Sequence, residues 1–381
     1  MRRNSMYQDF IHTGPNTLAG KYLSMFWHPV YCSHELRPGR AVPIRIMGED
    51  FTLYRGESGS PHLVGFRCAH RATQLSVGWV EGECIRCFYH GWKYDASGQC
   101  VEQPAEPKPF ASKIRIPAYS VTEYLGLIFA YFGKDEPPPL PRYPKFESPE
   151  ISLDVVRLGR ICNYFNNIDN SLDNAHVRFV HRRHRETARD EIVRGDPAIS
   201  VEESEWGIKR HVRYPNGKEI AAHFGMPNIN YLNGQVVDPE IKRADLLVFK
   251  VPVDDENHIH FEVRAIPFTG DRAQEWLERR RDKRAKEAAN RAELVKAVLE
   301  GKLHLSDIDP SRTDYVIVED EIAQTGQGKI PDRSREHLGQ SDAGVILLRR
   351  IWERELRALA EGQPLKKWTY RPDMVPAYPE A

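Results

Sequence analysis

Residues 67–95 read RCAHRATQLSVGWVEGECIRCFYHGWKYD and hold three of the six cysteines in a chain of 381 residues. Their spacing offers four chemistries. A structural zinc site wants four ligands, commonly as paired Cys-x2-Cys knuckles. Cys84 and Cys87 make one such pair, but Arg71 stands where Cys68 would need its partner, and Cys87 and Cys100 are too far apart for a second knuckle. A redox dithiol at Cys84–Cys87 belongs at a strand-to-helix junction, whereas these flanks are β and turn. A plain core reading, with apolar cysteines and hydrogen-bonded histidines, suits any one of the residues and accounts for no spacing. The fourth reading takes Cys68-x-His70 and Cys87-x2-His90 as two loop tips gripping a [2Fe-2S] cluster, with two thiolates on one iron and two imidazoles on the other. Neutral imidazoles reduce the negative charge at the outer iron and raise the potential. Gly91 permits close backbone approach, and Tyr89, Trp92 and Tyr94 are placed to shield the sulfides. Cys84 is then a bystander.

Working outward, short β-type runs (FTLYR, HLVGF, GLIFAYF) alternate with the turn signals GESGS, VEGE and DASGQ. The proline-rich GKDEPPPLPRYP (Gly133–Pro144) denies both helix and ladder and reads as a linker. It divides the chain into residues 1–140, with a β core at about 27–133, and residues 145–381. In the second part, helical spacing over 163–180 is followed by strands in ADLLVFKVPV and HIHFEVRAIP and a charged helix at about 272–300. A last helix at about 343–361 has Val345, Leu348, Ile351, Trp352 and Leu356 on one face. The fold class is α+β.

Composition narrows the setting. Lys+Arg and Asp+Glu are 54 each, so no global field points to nucleic acid or an anionic membrane. The basic run RRRDKRAKEAANR (Arg279–Arg291) alternates with acids and alanines and reads as a solvated helix face. The start, MRRNSMYQDFIHTG, has no signal-peptide core, and LGLIFAYF is too short to span a bilayer. Few cysteines in a large chain imply reduced thiols and a cytoplasmic setting. No Gly-rich dinucleotide fingerprint follows a strand, so NAD(P)H and flavin would sit on a partner.

The pattern C-x-H, sixteen residues, C-x2-H, with its aromatic YHGW, resembles the Rieske family. That resemblance makes Cys68, His70, Cys87 and His90 the ligands of one [2Fe-2S] cluster per chain. A second group lies in NIDNSLDNAHVRFVHRRH (Asn167–His184). Asp173 and His176 are neighbours on a helical face. His176 and His181 are five apart, splayed by roughly 140° on an ideal helix, so they share a metal only where the helix breaks or widens. His181 and His184 are the alternative pair, and a capped helix with surface histidines is the bland one.

Downstream of a Rieske stretch, D-x2-H-x4-H resembles the catalytic half of Rieske non-heme iron oxygenases. The resemblance implies a helix-grip catalytic domain holding one mononuclear Fe(II) per chain on His176, His181 and a distant carboxylate. Asp320 in VEDEI aligns with that carboxylate, and Glu319 and Glu321 are then exposed helix carboxylates. Asp173 becomes the bridge between an iron-ligand histidine and cluster residue His90 across a subunit boundary, so a homotrimer is expected. Arg182, Arg183 and Arg185 read as surface or interface charges. The flanks TGPNTLAGKYLSMFWHPV and REHLGQSDAGVILLRR resemble the branch with phthalate-type and phenoxybenzoate-type dioxygenases and dehydrodivanillate-type O-demethylases.

The implied activity is O2-dependent hydroxylation or O-demethylation of an aromatic compound, with electrons from a reductase, with or without a ferredoxin. Ala221–Asn233 is a candidate pocket strand, with Phe224, Met226 and Ile229 as an apolar wall. The alternative outcome is cis-dihydroxylation by a phthalate-type dioxygenase, and two rivals come from other classes: a Rieske electron carrier without mononuclear iron, and a zinc-ribbon module for nucleic acid.

Overall fold

A computed structural model describes residues 8–183, 198–213, 215, 217, 219–236 and 240–375. Among the described residues the first part forms two antiparallel sheets. One contains β1 (Trp27–Cys32), β2 (Arg40–Ile46), β3 (Glu49–Arg55), β4 (Pro61–Gly65), β9 (Ala118–Tyr124) and β10 (Leu127–Tyr131), in the order β1-β10-β9-β4-β3-β2. The other is a four-stranded ribbon of β5 (Trp79–Glu81), β6 (Cys84–Arg86), β7 (Lys93–Tyr94) and β8 (Cys100–Glu102). Strand β10 is buried at all five residues between β1 and β9, as its unbroken apolar run requires.

Past the linker, seven antiparallel strands form the second unit. They are β11 (Ser152–Arg160), β12 (Ala198–Glu203), β13 (Gly207–Arg213), β14 (Glu219–Gly225), β15 (Ile229–Val236), β16 (Arg243–Pro252) and β17 (His258–Ile266), ordered β11-β17-β16-β15-β14-β13-β12. Leu247, Phe249 and Val251 on β16 and Phe261 and Val263 on β17 turn one sheet face toward the first unit, where Phe129 meets Phe249 at 5.5 Å. The opposite face meets helices. These are α2 (Tyr164–Leu172), α3 (Ala175–Val180), α4 (Gly270–Leu299), α5 (Tyr315–Gly326) and α6 (Ala343–Ala360), with α1 (Leu18–Ser24) before β1. The α+β expectation and its sheet-plus-helices second half are what the structure shows.

Further contacts tie the units together. The two-residue turn joining β2 to β3 is left-handed at both Met47 (φ 49°) and Gly48 (φ 79°). Their N–H groups donate to the carbonyls of Pro252 and Val253, each at 2.8 Å. In addition, the start of the chain packs on its end: Phe10 and Tyr22 lie against Trp352 of α6 at 6.1 and 5.2 Å.

Two sequence expectations change. Ala221–Asn233 is a hairpin rather than one strand, because Pro227 has no N–H for the ladder. Phe224, Met226 and Ile229 all belong to the main core. The Arg279–Arg291 face is not all solvated. Arg280 and Arg284 reach Asp154 of β11, and Arg291 donates to the Gly159 carbonyl at 3.0 Å and faces Glu321 at 3.3 Å. Buried carboxylates need cations, and arginine stems run along apolar surface to supply them.

Candidate metal centres

The cluster candidates occupy two loops of matching build. In the first, Cys68 donates its N–H to Thr73 at 2.8 Å and accepts from Ala72 at 2.9 Å. In the second, Cys87 donates to Trp92 at 2.8 Å and accepts from Gly91 at 3.0 Å. Each loop closes on its own cysteine through a left-handed residue, Ala72 (φ 57°) or Gly91 (φ 74°). Both thiols are only 2% exposed, whereas His70 and His90 stay half-buried with ring centroids 4.4 Å apart. Burial first, and then the neighbouring Cys68 against the Tyr89 N–H, holds the Cys87 thiol above its ordinary value.

This donor set fits an iron–sulfur cluster. The Nδ1 atoms of His70 and His90 are buried without a hydrogen-bond partner, and the two buried thiols lie against each other. Tyr94 Oη lies 3.2 Å from Cys68 Sγ and accepts the Ala69 N–H at 3.1 Å, while Trp92 stacks on His70 at 4.7 Å. Tyr89 differs from the shielding role expected for it. It is 52% exposed and leans on His90 from outside, and its neighbour Phe88 is also turned out to solvent. Cys84 feels Lys93, Asp95, Glu81 and Glu83, not the cluster candidates.

The second centre forms at a helix break. Helix α2 stops at Leu172, and Asp173 takes an extended backbone (φ −87°, ψ 112°) before α3 begins. Asp173 Oδ1 accepts the N–H of Ala175 at 2.8 Å and of His176 at 3.3 Å, and Oδ2 lies 3.6 Å from His176 Nδ1. Helix α3 ends at Val180, so His181 sits just beyond the helical geometry that would splay it from His176. Donor atoms of His176, His181 and Asp320 all lie within 4.8 Å of one another. Asp320 Oδ1 is 3.7 Å from His176 Nε2 and 3.2 Å from His181 Nε2. Two imidazoles and one carboxylate on one face are the donor set of non-heme Fe(II).

The electrostatics ask for a cation. Burial works against the His181 imidazolium, yet Asp320 and Glu319 outweigh it and push the ring up to about 9. Burial likewise disfavours the Asp320 carboxylate, but His181 and then His176 hold it below its ordinary value. Asp320 Oδ1 is buried without a hydrogen-bond partner, as a vacant ligand atom would be, whereas His176 Nδ1 faces Asp173 and leaves Nε2 on the Asp320 side.

The matching family model is the Rieske [2Fe-2S] domain, over residues 26–124. Along nearly the whole chain, the sequence is 28% identical to the 5,5'-dehydrodivanillate O-demethylase oxygenase subunit of Sphingobium sp. (strain NBRC 103272 / SYK-6), covering 96% of this chain and 83% of that one. It is 29% identical to the phenoxybenzoate dioxygenase subunit alpha of Ectopseudomonas oleovorans, over 91% and 83%. The chain belongs to the Rieske oxygenases. Among solved structures, NdmB of Pseudomonas putida CBB5 superposes with a TM-score of 0.67 at 19% identity, over 89% of this chain and 93% of that one. The oxygenase in the reduced oxygenase–ferredoxin complex of carbazole 1,9a-dioxygenase gives 0.66 at 17% identity, over 94% and 95%.

Two carboxylates of this Rieske oxygenase stand where the sequence did not place them. Glu319 and Glu321 are buried, not exposed, at 2% and 1% exposure. Glu319 Oε2 lies 2.9 Å from His181 Nδ1 and fixes that ring. Glu321 accepts the Ile161 N–H at 3.1 Å and faces Arg160 at 3.4 Å. For Glu319 the signal was present: Tyr315, Val318, Glu319 and Ile322 follow helical spacing and put it on the apolar side. Arg182 is exposed and Arg183 donates to the Ser306 carbonyl at the surface, while His184 and Arg185 lie outside the described residues.

Proposed function

We propose that this chain is the terminal oxygenase of a multicomponent system that hydroxylates or O-demethylates an aromatic compound with O2. The meeting of His176, His181 and Asp320 at the α2–α3 break carries the reading, because an electron carrier has no use for it. In it, Cys68, His70, Cys87 and His90 hold the [2Fe-2S] cluster, and His176, His181 and Asp320 hold Fe(II). When bound, the cluster supplies single electrons and the mononuclear iron activates O2.

The chain's own residues do the rest. Tyr94 and Trp92 exclude water from the cysteine side, leaving the histidine side open to exchange. Glu319 accepts a hydrogen bond from the Nδ1–H of His181, so that Nε2 is the free ligand atom. Asp173 joins the helix break to His176 and, in a homotrimer, links it to His90 of the next chain. Phe179, 67% exposed on α3, and Phe88 and Tyr89 at the cluster tip are apolar surface suited to such a contact. An NAD(P)H- and flavin-bearing reductase, with or without a ferredoxin, supplies electrons. The setting is the cytoplasm, and the domains divide at 1–140 and 145–381. Among the described residues, no helix is long and apolar enough to cross a membrane.

Iron stoichiometry tests the reading. Three irons per chain, with substrate-dependent NADH oxidation and a hydroxylated arene or formaldehyde as product, are expected. Two irons per chain would mark a carrier. Two variants test the parts. Cys84→Ser is expected to leave the visible cluster spectrum unchanged, and a bleached protein would reopen the ligand assignment. Glu319→Gln is expected to weaken mononuclear iron retention against a chelator by about 10- to 100-fold while the cluster stays. Unchanged retention would remove Glu319 from the site.

A further inference from the structure

The break between α2 and α3 is held from outside by residues that belong to neither centre. A helix running on through this stretch would bond the Ser171 carbonyl to the Ala175 N–H and the Leu172 carbonyl to the His176 N–H. The Asp173 side chain takes both donors instead, at 2.8 and 3.3 Å. Two carbonyls at the end of α2 are thereby left without their helical partners. Arg210, on β13 of the sheet, donates from Nη1 to the Ser171 carbonyl at 3.0 Å. One turn earlier, Lys250 of β16 donates to the Asn167 carbonyl at 3.0 Å. Cations at the C-terminal end of a helix meet the negative end of its dipole and stabilise it.

The second carbonyl is accommodated by space. Gly344, in the first turn of α6, lies so close to Leu172 that a methyl group on it would stand 2.5 Å from the Leu172 carbonyl oxygen and 3.1 Å from its Cβ. Any side chain at 344 therefore pushes the end of α2 aside. Glycine is a poor helix former, and its place inside α6 needs no left-handed backbone, so the close approach is what it serves. The same helix grips α2 by charge, since Arg349 donates to Asp169 at 2.6 Å.

We propose that Arg210 and Gly344 are positioning residues of the mononuclear centre, fixing the place of the α2–α3 break and with it where Asp173 and His176 stand. The proposal rests on the metal reading above. Arg210 satisfies the carbonyl that the break exposes, and Gly344 gives the end of α2 its seat. Without Arg210, the Ser171 carbonyl recovers the Ala175 N–H from Asp173, and the two helices run together. His176 and His181 then return to the splay of roughly 140° that a five-residue separation gives on an unbroken helix.

The test compares the iron-loaded wild type with Arg210→Met, Arg210→Lys and Gly344→Ala. One readout is the rate at which a chelator strips the mononuclear iron, with the cluster absorption followed in the same sample. The other is the electron paramagnetic resonance spectrum of the nitric oxide adduct of that iron, taken with the cluster oxidised. Arg210→Met and Gly344→Ala should each lose the iron about 10-fold faster or more, with an altered adduct spectrum and an unchanged cluster. Arg210→Lys, which keeps a donor and a charge, should recover part of the retention. Added guanidinium should slow iron loss from Arg210→Met and not from Gly344→Ala, a rescue that general loosening of the fold would not give. Where Arg210→Met fails to fold, Arg210→Lys and Gly344→Ala carry the test. Wild-type retention and spectra in the variants, or loss of cluster and iron together, overturn the positioning role and leave the metal reading standing. A wild type that holds no mononuclear iron removes the metal reading and the proposal with it.

Discussion

Asp173→Ala is expected to keep the cluster absorption and the mononuclear iron while losing turnover by about 100-fold. In the proposed centre this carboxylate lies outside the His176–His181–Asp320 group. It caps the first N–H groups of α3 and sits 3.6 Å from His176 Nδ1. Burial disfavours its charge, but His176 holds it below its ordinary value, so it is anionic at neutral pH. Losing the cap costs about 1 kcal/mol, too little to unfold a chain of this size. Asp173→Asn separates the two roles, since an amide oxygen still caps the helix but carries no charge. The asparagine variant should retain iron and remain slow. Full activity in either variant would leave Asp173 a cap and nothing more.

Asp320→Ala is expected to lower the iron content from three to two per chain and to abolish turnover without disturbing the cluster. Removing the one carboxylate from a His-His-Asp set takes away the charge that neutralises the metal, and Glu319 cannot replace it while bonded to His181 Nδ1. A second readout needs no turnover. Because a ligand that binds only the folded state stabilises it, added Fe(II) should raise the melting temperature of the wild type and not of this variant. A variant with three irons would move the third ligand elsewhere.

The two centres were unequally legible. The cluster candidates come from two short loops, so their spacing could suggest a cluster, the resemblance chose among the four readings, and the left-handed turn at Gly91 emerged only in the fold. The pair His176 and His181 was visible, but their five-residue separation made sense only with the helix ending at Val180. Asp320 lies on a helix far along the chain, and no local period connects it to them; the resemblance did that. Glu319 was misread because a glutamate looks solvated until its helical neighbours Tyr315, Val318 and Ile322 are placed. The inward arginines of α4 were missed because their partners, Asp154 and Glu321, sit on other elements.

The seating of Phe10 and Tyr22 against Trp352 bears on how the polypeptide becomes a protein. The earliest residues described and the last long helix share one interior, and Trp368 donates to Tyr22 Oη at 2.9 Å across almost the full length of the chain. The Rieske domain at residues 26–124 is therefore threaded between two segments that share one core, not appended to the front of it. Synthesis from the N-terminus leaves that first apolar segment waiting for its partner until translation is nearly complete, and closure over such separations slows folding. For the same reason, bisecting the gene at the proline-rich linker would not yield two autonomous halves, since each fragment would expose one side of the same aromatic cluster.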